Sequence, residues 1–152
     1  MLRRSGPSAA LCSRPVADPS ETPAPTLLVV DDEPQLLRLL VRVFEKHGSR
    51  VLPAESVPEA DRVLAAHADE IDALVLDVIV PPAGVDPLLS RMESLRDDVG
   101  VVLTSGDELR PVLKRRLEAL GGVFLRKPFS PAALLTAVRT AIRGRMQGAS
   151  GS

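Results

Sequence analysis

The chain has 152 residues, room for one domain of ordinary size. At 45% hydrophobic and 26% charged it can bury a core, and a net charge of −1 leaves it without the basic excess of a general nucleic-acid binder. A single cysteine, Cys12, excludes an intrachain disulfide framework and a cysteine-based zinc site, and no apolar run approaches the ~18 residues that span a bilayer.

Residues 1–25 carry five of the 14 prolines among Ser, Ala and Thr, with no helical or strand period, and read as a flexible tail. The stretch around Ala9–Leu11 is too short for a secretory h-region, and Cys12 after Leu11 makes a poor lipoprotein cleavage site. A transit peptide, acid-free up to Asp18, is the alternative reading. Charge is unevenly spread. Residues 26–137 hold 13 Lys+Arg against 18 Asp+Glu, a net of −5, whereas 138–152 carry Arg139, Arg143 and Arg145 with no acid, a net of +3. Only Phe44, Phe124 and Phe129 are aromatic, so a base-stacking platform and an aromatic membrane belt are both disfavoured.

From Thr26 the pattern alternates. Thr26-Leu27-Leu28-Val29-Val30 is a short apolar run, as expected for a strand buried on both faces. Pro34 opens a helix with Leu36, Leu37, Leu40, Val41 and Phe44 inward, and Gly48 ends it. Arg50-Val51-Leu52 is a weaker strand. Ser56 and Glu59 form a capping-box pattern before Ala60, Val63 and Leu64. Ala73-Leu74-Val75-Leu76 is the next strand, ending at Asp77. Asp86-Pro87 reads as an N-cap with proline at the first helical position, ahead of Leu88, Leu89, Met92 and Leu95. Val99 through Leu103 is a fourth strand, and Leu109, Val112, Leu113, Leu117 and Leu120 line a fourth helix. Val123-Phe124-Leu125 is a fifth strand, and Ser130-Pro131 caps a last helix with Leu134, Leu135, Val138 and Ile142 inward. Residues 144–152, rich in Gly and Ser, read as a flexible C-terminal tail. Five strand–helix units over residues 26–143 imply a parallel α/β sheet covered on both faces. Ligands of such sheets bind beyond the carboxyl ends of the strands.

The strand ends carry the chemistry. Asp31-Asp32-Glu33 follows the first strand, Asp77 ends the third, Thr104-Ser105 ends the fourth, and Arg126-Lys127-Pro128 follows the fifth. Carboxylates gathered at one mouth repel unless a cation joins them, and all-oxygen ligation points to Mg²⁺ or a similar hard ion. A carboxylate, a hard cation, an ammonium and a hydroxyl are together what a transferring phosphoryl group requires. Each residue alone has a plainer reading. Asp31-Asp32 suits a helix N-terminus, Asp77 a turn, Thr104 a hydrogen-bonded strand end, and Lys127 a solvated surface. Their joint occurrence at separate strand ends favours the site.

These motifs resemble the receiver domain of bacterial response regulators. The resemblance rests on Leu28-Val29-Val30-Asp31-Asp32-Glu33-Pro34, Leu74-Val75-Leu76-Asp77 with Pro81, Val101-Val102-Leu103-Thr104-Ser105, and Lys127-Pro128-Phe129, and covers about residues 26–143. It implies a flavodoxin-like (βα)5 fold with a five-stranded parallel sheet of order 2-1-3-4-5. It further implies that Asp77 is the phospho-acceptor and that Asp31, Asp32, Asp77 and the backbone carbonyl of Ile79 bind Mg²⁺. Thr104 and Lys127 would bind the phosphoryl oxygens, Thr104 and Phe124 would form the switch, and the Lys127–Pro128 peptide would be cis. The sequence departs from the family pattern at Gly84, one position earlier than the usual glycine, with Pro82 stiffening the same loop. Phe124 stands where Tyr is also common.

The resemblance implies a cytoplasmic, stand-alone receiver, not an enzyme, phosphorylated by a sensor histidine kinase or a histidine phosphotransfer protein. Output is expected through protein contacts of helix four, strand five and helix five, where Lys114, Arg115, Arg116, Arg139 and Arg143 suit an acidic partner or are simply solvated. No nucleic acid and no membrane are expected as direct partners. A phosphate sink or relay intermediate is the alternative within the class. An aspartyl-phosphate phosphatase is a further one, since Asp31-x-Glu33 loosely mimics its paired acids. A flavin carrier is disfavoured by the missing Trp and Tyr, and a dinucleotide site by the absence of G-x-G-x-x-G.

Overall fold

The computed structural model describes the backbone of residues 24–79 and 84–151, and side chains as far as Arg145. Most of the expected N-terminal tail, and the loop segment with Pro81 and Pro82, lie outside the described residues. The elements are β1 (Thr26–Val30), α1 (Pro34–Lys46), β2 (Arg50–Ala54), α2 (Val57–His67) and β3 (Ala73–Asp77), followed by α3 (Asp86–Leu95), β4 (Gly100–Ser105), α4 (Pro111–Ala119), β5 (Val123–Arg126) and α5 (Pro131–Gly151). The strands form one sheet of order β2-β1-β3-β4-β5, with every neighbouring pair parallel. This is the expected 2-1-3-4-5 arrangement.

The period of two in each strand divides the core into halves. Leu28, Val30, Leu74, Leu76, Val101 and Leu103 face a cluster built with α2, α3 and α4. Leu27, Val29, Ala73, Val75 and Val102 face the other cluster, with α1 and α5. Every residue of β1, β3 and β4 is buried, so these strands can present polar groups cheaply only at their ends. Pro53 stands in β2 opposite Val29, at the edge of the sheet, where a missing amide breaks no inner ladder.

Helix starts follow the local chemistry with two adjustments. Ser56 caps α2 by accepting from the Glu59 amide at 3.2 Å, while the Glu59 carboxylate takes the Glu55 amide at 2.8 Å. Ser130 accepts from the Ala133 amide at 3.1 Å. The first adjustment is at α3, whose N-cap is Val85 and not Asp86. Val85 is buried, so the helix starts one residue early and Asp86 turns its carboxylate to Arg110 and Arg116 instead. The second is at the C-terminus. Helix α5 runs on past Arg143, where a flexible tail was expected. Ala141 is fully buried against the sheet, and the Arg145 guanidinium donates to the Val99 carbonyl at 3.2 Å, so residues 144 and 145 belong to the domain. Among the described residues no helix is long and apolar enough to cross a membrane.

Gly100 opens β4 directly under α5. A Cβ there would lie 2.8 Å from the Ile142 nitrogen and 2.9 Å from the Ala141 carbonyl carbon, both backbone atoms that cannot rotate away. Gly100→Ala is therefore expected to lower unfolding stability by about 1–3 kcal/mol through overpacking. Urea denaturation checks this, with a lower midpoint and an unchanged slope expected.

Candidate functional site

The register of the sheet assembles the site. Asp77 pairs with Thr104 across β3 and β4, and Ser105 pairs with Arg126 across β4 and β5. The chain then leaves β5 with the Lys127 amide donating to the Ser105 carbonyl at 2.8 Å, which aims the Lys127 side chain back over the sheet edge. The Lys127–Pro128 peptide is cis. At the other side of the mouth the Asp31 amide donates to the Ala54 carbonyl at 3.1 Å, extending the β1–β2 ladder one step beyond the strand.

Lys127 Nζ donates to Asp31 Oδ2 at 3.2 Å and to Asp77 Oδ2 at 3.1 Å. Each carboxylate is also held by a backbone amide. Glu33 N donates to Asp31 Oδ1 at 2.9 Å, and Ile79 N donates to Asp77 Oδ1 at 3.0 Å. Asp31 is 1% exposed, whereas Asp32 beside it faces water. The helix-cap reading of Asp31-Asp32 does not hold, because the N-cap of α1 is Glu33 and no side chain caps that helix. Thr104 is buried, and its carbonyl accepts from the Val78 amide at 2.9 Å. Phe124 is partly buried against the α2–α4 side of the core. The side chain of Ile79 is 64% exposed at the rim of the site. Gly84 takes a φ of +74°, the left-handed region that glycine adopts without strain.

Burial pushes the Asp31 carboxyl above its ordinary value, and the Glu33 amide and the Lys127 ammonium only partly offset this. Burial pulls Lys127 downward. Its hydrogen bonds and charge attraction to Asp77 and Asp31 outweigh that, so it stays charged well into the alkaline range. Oxygen atoms of Asp31, Asp32 and Asp77 lie within 4.8 Å of one another. Three carboxylate oxygens, one of them from a solvent-facing residue, fit a small hard cation that keeps part of its water shell. The mouth thus joins a carboxylate fixed at both oxygens, a place for a hard cation, an ammonium and a neighbouring threonine. Together these define an α/β domain with an acidic, cation-ready site at the carboxyl ends of its strands.

The chain belongs to the response regulator receiver domain family, whose model matches residues 27–139. It is 33% identical over 125 residues to the transcriptional regulatory protein AruR of Pseudomonas aeruginosa, across 78% of this chain and 50% of that protein. It is 28% identical over 124 residues to protein PilH of the same organism, across 78% of this chain and 98% of PilH. It therefore spans about half the length of AruR and nearly all of PilH. Among solved structures it resembles a receiver domain protein from Clostridium thermocellum, with a TM-score of 0.70 at 24% identity, covering 80% of this chain and 97% of that one. It also resembles the receiver domain of the hybrid histidine kinase CckA, with a TM-score of 0.65 at 27% identity, covering 77% and 98%.

The strand-end residues singled out from the sequence, Asp31, Asp77, Thr104, Ser105 and Lys127, lie together at this edge, but the sequence did not show the contacts that Ser105 and Asp86 make, nor that Arg116, expected on the output face, turns to α3. Ser105 is buried, accepts the Asp107 amide at 3.1 Å on its hydroxyl and takes the Lys127 amide on its carbonyl. Asp86 was read as a cap, whereas it is an ion-pair partner of α4. The sequence signal for Asp86 is weak, because ion pairs between helices follow no fixed spacing.

Asp31 provides a test of the electrostatics. Its pKa is raised on folding, so its contribution to stability is fully present below 3.8 and is lost as pH rises through the folded value. Above that range the ionised, buried carboxylate beside Asp77 disfavours the native state. Asp31→Asn is expected to stabilise the cation-free protein at pH 7, with the gain shrinking toward pH 4. Urea unfolding in chelator at the two pH values checks this, and an equal gain at both would contradict it.

Proposed function

We propose that Asp77 accepts a phosphoryl group from a phosphohistidine on a sensor histidine kinase or a histidine phosphotransfer protein. The observation that carries this reading is the Asp77 carboxylate, whose side chain is only 10% exposed and whose two oxygens are bonded separately to Lys127 Nζ and the Ile79 amide. Such a carboxylate is oriented and partly desolvated, yet it opens at the end of its strand. In the transfer an Asp77 oxygen forms a bond to phosphorus while the phosphorus–nitrogen bond breaks. The electron pair leaves on the imidazole nitrogen, which takes up a proton from solvent. Asp31, Asp32, Asp77 and the backbone carbonyl of Ile79 would hold Mg²⁺, which would supply positive charge near the phosphoryl oxygens. Lys127 and the Thr104 hydroxyl donate hydrogen bonds to the same oxygens.

Thr104 then moves toward the phosphoryl group, Phe124 follows, and the exposed face of α4, β5 and α5 changes. Lys114, Arg115, Arg139 and Arg143 are exposed and form no ion pair among the described residues, which suits an acidic protein partner there. The domain acts in this reading as a cytoplasmic signalling acceptor, contacting neither nucleic acid nor membrane and not turning over free phosphomonoesters.

Incubation with acetyl phosphate and Mg²⁺ is expected to place one phosphoryl group on Asp77, read by intact mass and peptide mapping. Asp77→Asn should take none, and equal labelling of that variant would overturn the assignment. Lys127→Ala and Thr104→Ala should slow labelling by about 100-fold, the usual loss when one charge-stabilising donor is removed.

A further inference from the structure

A second cluster of charged side chains lies between α3 and α4, away from the acceptor carboxylate. Arg116 reaches from α4 across to α3. Its Nη1 donates to the carbonyl and to Oδ1 of Asp86, at 3.4 Å each. Its Nη2 donates to Ser90 Oγ at 2.9 Å and to Glu93 Oε1 at 2.6 Å. Asp86, Ser90 and Glu93 stand at i, i+4 and i+7, one face of α3, so a single guanidinium bridges nearly the whole length of that helix. Arg110 adds a bond from Nη2 to Asp86 Oδ2 at 3.3 Å. The two arginines are not equivalent. The Arg116 side chain is 26% exposed and multiply bonded, whereas that of Arg110 is 71% exposed with one long contact. Exposed single pairs contribute little, so Arg116 is the tie.

The position of this tie matters more than its strength. Asp77 ends β3, and the chain from it leads to α3 at Asp86; Thr104 lies near the end of β4, and the chain from it leads through Arg110 to α4. Both segments leaving the acceptor site therefore finish at one side-chain cluster. The start of α3 is anchored in the core by Val85, which is 2% exposed. The outer surface of α4 carries Val112, 67% exposed, beside exposed Lys114 and Arg115.

We propose that Arg116 is a positioning residue that ties α4 to α3, so that phosphoryl acceptance at Asp77 displaces the exposed face of α4 only while this tie is intact. The inference rests on Asp77 being the acceptor. Coupling of this kind needs a physical link biased from both ends, and Arg116 supplies one between the two helices that follow the site strands.

The test compares the full-length protein before and after treatment with acetyl phosphate and Mg²⁺. Hydrogen exchange is read at the α4 amides and phosphoryl label at Asp77. In the wild type, acceptance is expected to change α4 exchange by about fivefold. Arg116→Gln should label Asp77 at the wild-type rate, yet its α4 exchange should change by less than about twofold on acceptance. Arg116→Lys, which keeps the charge but loses the planar fork, should fall between them. The double variant Asp86→Ala with Glu93→Ala removes both carboxylate partners of Arg116 on the α3 side, at side chains 45% and 40% exposed, and serves if Arg116→Gln does not fold. A wild-type exchange response in Arg116→Gln or in the Asp86→Ala, Glu93→Ala double variant overturns the proposal, as does a labelled wild type whose α4 does not respond. An unlabelled wild type overturns the acceptor reading, and the proposal with it. The label assay identifies that outcome because it does not involve α4.

Discussion

The Lys127 ammonium between the Asp31 and Asp77 carboxylates is the interaction on which the rest of the site depends. Two carboxylates at a sheet edge, one of them 1% exposed, destabilise a fold through desolvation and mutual repulsion. Lys127 comes from a different strand end, 50 residues after Asp77 and 96 after Asp31, and offsets part of that cost with bonds of 3.1 and 3.2 Å. It can do so only because β5 lies against β4 and the chain beyond β5 is held by the Ser105 carbonyl. Burial still holds the Asp31 carboxyl above its ordinary value despite the Glu33 amide and Lys127. Three acidic side chains gathered at this mouth, one of them solvent-facing, favour a further positive charge such as a hard cation.

The sheet confines these charges to its edge. Side chains of β1 from Leu27 to Val30 and of β3 from Ala73 to Leu76 are apolar and feed two separate clusters, one on each face. The helices that cover those faces begin with proline in their first turn at α1, α2, α3 and α4, where a missing amide breaks no helical bond. Polar chemistry is thereby pushed to the carboxyl edge, from which segments lead each strand to its helix. Arg116 lies where two of those segments end. Arg116 there joins α3 to α4 through Asp86, Ser90 and Glu93.

Much of the site was legible in the sequence because its residues sit at strand ends, and short apolar runs mark those ends plainly. Asp31, Asp77, Thr104 and Lys127 each follow such a run, and parallel order then brings them to one edge. Pro53 had no account in the sequence; the edge position of β2 supplies it. The start of α3 was misplaced by one residue because Asp-Pro is a strong cap signal, and burial of Val85 overrode it. Residues 144 and 145 read as tail because Gly and Ser composition shows no partner, yet Arg145 finds one in the Val99 carbonyl.

The sequence by itself determined the alternation of strands and helices, the parallel sheet and the identity of the residues at its mouth. Those follow from local hydrophobic period, capping chemistry and the handedness of crossovers, all of which act over short stretches of chain. The tertiary structure decided which atoms meet: that Lys127 is shared between two carboxylates, that Asp32 faces water while Asp31 does not, and that Asp86 serves Arg116 and not its own helix. These contacts join residues far apart in the chain, and their geometry depends on how the two halves of the core fill. No local pattern encodes that.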